Sequence, residues 1–279
     1  MSKKEIQFRK KRDYNQIIID SFEFLKQEYQ TIFKLIRGYV LPFIIINAVL
    51  QVHVQKNILG KIDIQDTQAI MDNFGPVYLN FFLASLFTLF VQSLYIGTFY
   101  TYLEAYIREG KDQFNLSDIT PRLFSNSLLA LKAHFALFVL VLAGFVLCIF
   151  PGIYFANTFS IIAMVYLFEK NTLGQSFQRS FRLVSSQWWN TLLINITGIA
   201  LLYFSGVVLS LPTLLADNPA GSPGSEVTAV AGGPGFFWIW TGIAGAITSL
   251  LWIVPYTLLA MQYFNLAEST GRKGQRLSS

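Results

Sequence analysis

Residues 128–168 read LLALKAHFALFVLVLAGFVLCIFPGIYFANTFSIIAMVYLF, an almost unbroken apolar run of 41 residues whose one lysine, Lys132, and one histidine, His134, lie near its start. As a single helix it would extend about 60 Å at 1.5 Å per residue, twice the roughly 30 Å hydrocarbon core of a bilayer. The chain must therefore turn back on itself. Pro151-Gly152 lies near the middle, where a residue without a backbone N–H stands beside a permissive glycine, and this predicts a tight hairpin of two membrane spans turning there.

Working outward, the same character dominates. Of 279 residues 53% are hydrophobic and 13% charged, with mean hydropathy +0.46, against roughly 25% charged residues in an ordinary soluble domain. A soluble globular enzyme is excluded. The apolar residues fall in long blocks and not in the alternating pattern of a membrane barrel. The fold class expected is thus all-α, a polytopic membrane protein of six transmembrane helices arranged as three hairpins. The spans run over 39–54, 77–103, the two halves of 128–168, 191–215 and 236–266, the last kinked at Pro255. The basic N-terminal tail and a surface helix occupy 1–38, the six-helix domain 39–268 and a C-terminal tail 269–279.

Lysines and arginines of short loops stay on the cytoplasmic side. Only Lys56 and Lys61 of the 21 fall on the other side, together with Asp63, Asp66, Asp72, Asp217 and Glu226, leaving a sum of −3 outside and +8 inside. Both termini are therefore expected in the cytoplasm. Arg9-Lys10-Lys11-Arg12 is followed by Asp13-Tyr14-Asn15-Gln16 and not by an apolar core with a cleavage site, so span one is expected to serve as an uncleaved targeting signal. Beside a membrane that basic cluster points to anionic lipid and not to nucleic acid.

Ile18, Phe22, Leu25, Tyr29, Ile32 and Ile36 recur at helical spacing opposite Glu23, Lys26, Gln27, Gln30 and Lys34, which predicts an amphipathic helix on the cytoplasmic surface. Leu173, Phe177, Phe181, Val184 and Trp188 repeat the pattern opposite Gln178, Arg179, Arg182 and Ser185, with Trp188 and Trp189 at headgroup level. A weaker segment, 116–124 with Pro121, precedes span three. Three hairpins, each following a surface helix, suggest a threefold repeat. Between the last spans, DNPAGSPGSEVTAVAGGPG (217–235) carries too many glycines and prolines for a regular element, whereas the 55–76 loop has the composition for a short helix over 66–74.

Polar groups inside a bilayer are costly and mark functional candidates. Glu104, Lys132 and Glu169 fall at the inner ends of spans, within reach of headgroups. His53 and His134 fall at opposite faces, so no metal or other cofactor is expected, and Cys148, the sole cysteine, has no partner for a disulfide. The amides Asn47, Gln92, Asn157 and Asn195 are candidates to line a path; the plainer reading gives them hydrogen bonds between helices, about 0.6 kcal/mol each. In span six, Gly242 with Ala246 and Gly245 with Ser249 put small residues four apart. Phosphate-loop, HExxH, CxxC and triad patterns do not occur, so no catalytic residue is expected.

PGIY at 151–154, a following apolar span ending in Glu169, and SFQRSFRLVSSQWW at 176–189 resemble the membrane domain found in the glycerophosphoryl diester phosphodiesterase family of bacteria. The stretch SFEFLKQEYQTIFKLI before Pro42 is similar to that family's opening. The resemblance implies a free-standing membrane domain without the catalytic barrel of fused members, in a bacterial cytoplasmic (inner) membrane. It singles out Pro151, Gly152, Glu169, Arg179, Ser180 and Arg182 as a structural motif: the turn at Pro151-Gly152, Glu169 accepting from Arg179 or Arg182 or capping the next helix, and Ser180 permitting close packing. The function expected is that of a non-catalytic scaffold or accessory subunit of a membrane complex, with anionic lipid of the cytoplasmic face and other membrane proteins as partners. The alternatives are a permease or lipid-moving protein, and thirdly a membrane-embedded lipid enzyme.

Overall fold

The computed structural model describes residues 6–57, 67–111, 113–215 and 233–277, and among them every regular element is a helix. Ten helices follow in order: α1 (Tyr14–Tyr39), α2 (Leu41–Asn57), α3 (Thr67–Glu109), α4 (Leu116–Leu147), α5 (Ile149–Thr158), α6 (Ile162–Phe168), α7 (Leu173–Ser185), α8 (Trp188–Leu215), α9 (Gly233–Leu251) and α10 (Ile253–Leu277). Among the described residues five stretches are long and apolar enough to cross a membrane: Gly75–Glu109, Leu116–Leu147, Ile149–Phe168, Trp188–Thr213 and Gly235–Thr270. A sixth is completed only if α1 and α2, bent by 63° at Val40, count as one span. The chain is an all-α, polytopic membrane protein. Most of the 217–235 loop lies outside the described residues, as do 58–66 of the loop before span two.

The hairpin in 128–168 forms, but its turn is not at Pro151-Gly152. The helix breaks at Cys148, whose extended backbone (φ −174°, ψ 160°) separates α4 from α5, and Pro151 falls in the first turn of the new helix. The reason is local: a proline removes its own hydrogen bond to the carbonyl four residues back and its ring crowds that carbonyl, so the break falls before it. In a first turn the missing N–H costs nothing, because those groups have no partner within the helix. Span six repeats this, with α9 and α10 separated at Trp252 and Pro255 again the third residue of the second helix. Gly152 instead permits the two arms to meet. A Cβ there would lie 2.5 Å from the Phe145 ring, and one at Gly144 would lie 2.9 Å from the Gly152 Cα.

Two compact units partition the chain. One takes residues up to Val40, Gln92–Ala200 and Ile253 onward; the other takes Leu41–Val91 and Leu201–Trp252. In the first, α6 is buried nearly all round, through Ile162, Ala163, Met164, Val165 and Leu167. Beside it lies an aromatic cluster of edge-to-face pairs, Phe8–Phe24 (5.0 Å between centroids), Phe24–Tyr106 (5.3 Å) and Phe8–Phe264 (5.8 Å), with Phe168 stacked on Phe264. In the second unit, α2 packs along α9, Asn47 and Gln51 bond to Thr88 of α3, and Trp240 Nε1 donates to the Leu209 carbonyl at 2.7 Å. Phe81, Phe82, Leu83, Tyr203 and Phe204 are more than half exposed, as are Val146, Leu147 and Phe150 at the hairpin tip, an exterior suited to lipid.

The structure also defines which sides of α1 and α7 are buried against the protein, and it corrects two element boundaries. The buried face of α1 is Ile17, Ser21, Phe24, Glu28, Ile32, Leu35 and Ile36, while Phe22 and Tyr29 of the predicted stripe point outward with Ile19 and Phe33. On α7 the buried face is Ser176, Ser180, Leu183 and Val184, and Phe181 is exposed. On both helices the buried face mixes apolar side chains with a few small or partnered polar ones, while other large apolar residues face away from the protein, where lipid can meet them. The segment 116–124 is not a separate surface helix, for it is the first turns of α4, and the chain over 67–74 is likewise continuous with α3 through Pro76.

Candidate functional site

The polar chemistry of the first unit gathers around α7. Glu169 closes α6, and Lys170 takes a positive φ of 50° as the chain reverses. Thr172 then caps α7 in a reciprocal box, its Oγ1 accepting from the Gln175 backbone N–H while the Gln175 side chain accepts from the Thr172 N–H at 3.0 Å. Capping by Thr172 frees the Glu169 carboxylate. Arg179 Nε donates to both of its oxygens (3.1 and 3.2 Å), and Asn171 and the Tyr263 hydroxyl donate at 3.1 Å each. Of the two arginines offered by the sequence, Arg179 is the one taken.

Ser180 is fully buried and donates to the Thr158 carbonyl at 3.0 Å, binding α7 to the end of α5. The same carbonyl end is tied to α8: Trp188 Nε1 donates to Thr158 Oγ1 (3.2 Å) and Asn157 Nδ2 donates to the Trp188 carbonyl (3.1 Å). Asn195 Nδ2 completes the set by donating to Asn157 Oδ1 at 2.9 Å. Arg182, two residues and so about half a turn beyond Ser180, is on a different face; it is exposed and lines a pocket of about 510 Å³ with Phe159, Phe177, Gln178 and Phe181.

The four amides read as candidates for a path do not form a single group. Asn157 and Asn195 bond to one another, Gln92 accepts from the Tyr256 hydroxyl, and Asn47 accepts from Thr88 within the second unit. None of them lines either of the two described cavities, the α7 pocket and a groove of about 390 Å³ between α2 and α9 whose walls include Ala48, Val52, Trp238, Gly242 and Ala246.

Several residues that hold this unit together escaped the sequence reading. Arg12, grouped there with the lipid-facing basic cluster, is buried; its Nε contacts Asp20 at 2.7 Å and its Nη1 donates to the Phe8 carbonyl at 2.7 Å, while Arg9, Lys10 and Lys11 stay exposed. Buried Glu28 pairs with Lys111 Nζ (2.7 Å) and accepts from Tyr102 (2.8 Å). Gln262 donates to Thr191 (2.9 Å), and Asn265 accepts the Arg12 backbone N–H (3.0 Å). The spacing of Gln262 and Asn265, two amides three apart at the end of an apolar span, was the available signal. No group of three or more His, Cys, Asp or Glu converges among the described residues. The carboxylates of Asp20, Glu28 and Glu169 each face a cation, an arrangement suited to fastening helices. Comparison with protein-family models, with curated proteins and with solved structures finds no match.

Proposed function

We infer that this integral membrane protein is a non-catalytic scaffold or accessory subunit of a membrane complex, seated in a bacterial cytoplasmic membrane with both termini inside. The observation that carries the reading is how the polar groups are used: Asn47, Gln92, Asn157 and Asn195 are all engaged in bonds that join helices, while the groove between α2 and α9 is walled by apolar side chains. A carrier needs polar groups turned toward its cargo, whereas a partner's apolar transmembrane helix needs a smooth slot with small residues at its floor. Ala48, Gly242 and Ala246 supply that floor, and Gly245, beyond it on α9, faces open space. Kinship with the glycerophosphoryl diester phosphodiesterase membrane domain is part of the same proposal and rests on the 151–154, 169 and 176–189 residues.

The test places a photo-crosslinking amino acid at Ile239, in the groove wall, and identifies by mass spectrometry what is captured in the native membrane. A single membrane protein recovered in stoichiometric amount supports the accessory-subunit reading. Emergence of the protein alone, with one metabolite enriched in the detergent-purified sample, overturns it in favour of transport.

A further inference from the structure

The α7 pocket joins an aromatic wall to a polar, cationic rim. One wall is aromatic: Phe159, at the end of α5, meets Phe177 edge to face at 5.0 Å, and Phe181 follows one turn later with 44% of its surface exposed. The rim is polar, with Gln178 and Arg182 four residues apart and therefore on one side of α7. Among the described residues no carboxylate pairs with Arg182, because Glu169 is already engaged by Arg179 through both oxygens and by Asn171 and Tyr263. Trp189, 72% exposed at the start of α8, marks the same end of the unit as the level where indole rings settle among headgroups.

We propose that this pocket binds the headgroup of an anionic phospholipid, with the phosphate on Arg182 and Gln178 and the first part of the acyl chains against Phe159, Phe177 and Phe181. A guanidinium offers a phosphate two parallel charge-assisted hydrogen bonds, and an arginine left without a carboxylate beside a bilayer lies in the negative surface potential of anionic lipid. The aromatic wall selects a lipid over a free phosphate: a small anion would leave the three phenyl rings uncovered, whereas a glycerolipid removes them from water. The charge asymmetry of the chain assigns this pocket to the cytoplasmic leaflet. The site stands independently of whether a protein partner occupies the α2–α9 groove.

The experiment uses the full chain in a zwitterionic detergent, titrated with phosphatidylglycerol or phosphatidylcholine and read by native mass spectrometry. The expected result is about a tenfold preference for phosphatidylglycerol, the factor that corresponds to about 1.4 kcal/mol. That preference is abolished in Arg182→Gln, reduced but not lost in Arg182→Lys, which keeps the charge without the paired donors, weakened in Phe181→Ala and unchanged in Arg122→Gln, which removes an exposed cation elsewhere on the unit. Equal binding of the two lipids by the unaltered protein overturns the proposal. So does an equal loss in Arg122→Gln and Arg182→Gln, which would indicate diffuse attraction, or displacement of the lipid by soluble glycerol phosphate at matching concentration, which would indicate a free-phosphate site.

Discussion

Glu169 accepts four hydrogen bonds from three side chains while about a quarter of its side chain stays exposed. Its role is to join α6, α7 and α10. Charged hydrogen bonds contribute about 1.5–3 kcal/mol each before solvent screening, and partial exposure lowers that figure. Glu169→Gln and Arg179→Gln are therefore each expected to lower stability by about 1–2 kcal/mol, and the double variant by less than the sum, since both remove one interaction. Thermal unfolding in detergent followed by tryptophan fluorescence measures this; additive losses would contradict the pairing. Asn157→Leu removes the bonds to Trp188 and Asn195, at about 0.6 kcal/mol for each bond. The scaffold reading expects that modest loss of stability to be its main effect. A transported molecule whose flux into vesicles collapses in Asn157→Leu, with stability intact, would instead make Asn157 a path residue.

At the level of elements, close approach of backbones decides which glycines matter. A Cβ at Gly97 of α3 would overlap the backbone of Ser127 on α4, and a Cβ at Gly198 of α8 would lie 2.9 Å from Pro255 of α10. Neither helix pair has room to yield without separating. Gly38, near the end of α1, has open space where its side chain would be. Gly97→Ala is thus expected to destabilise by about 1–3 kcal/mol through overpacking, whereas Gly38→Ala is expected to be neutral or to stabilise by up to about 1 kcal/mol, because alanine is the better helix former. Paired melting curves in the same detergent check the opposite signs, and two variants of equal stability would refute the close approach of α3 and α4. Gly152→Leu belongs with Gly97: its side chain would enter the space of Phe145 and part α4 from α5.

At the scale of the molecule, orientation rests on charge and not on packing. Nearly all lysines and arginines lie on one side of the expected spans, and by that bias the C-terminus is expected in the cytoplasm. A C-terminal green fluorescent protein fusion is expected to fluoresce and an alkaline phosphatase fusion at the same point to be inactive; the opposite pair of results would invert the topology and move the α7 pocket to the outer leaflet. The Arg12–Asp20 and Glu28–Lys111 pairs, each with one buried member, add a second molecular feature. They secure the N-terminal segment and α1 within the first unit, so the basic N-terminus is partly a structural clamp, and of its described cations Arg9, Lys10 and Lys11 are left exposed to meet lipid.

The amino-acid sequence by itself determined the class of fold, the number of spans to within one and the neighbourhood of each break, because the cost of placing charge and unpaired backbone in hydrocarbon is large and local. It located the breaks near Pro151 and Pro255 but a few residues late, since a proline disturbs the turn before it. The inward faces of α1 and α7 were decided only by the tertiary structure. In water, hydrophobicity separates inside from outside; in a bilayer both surroundings are apolar, and close packing and hydrogen bonding decide instead. Hence Ser176, Ser180 and Glu28 turn inward beside Ile17, Phe24, Leu183 and Val184, while Phe22, Tyr29 and Phe181, no less apolar, turn out. The choice of Arg179 over Arg182 as the partner of Glu169 was equally open in the sequence, where both stand on the next helix. The position of Glu169 at the end of α6, together with the capping of α7 by Thr172, settled it and left Arg182 to the pocket.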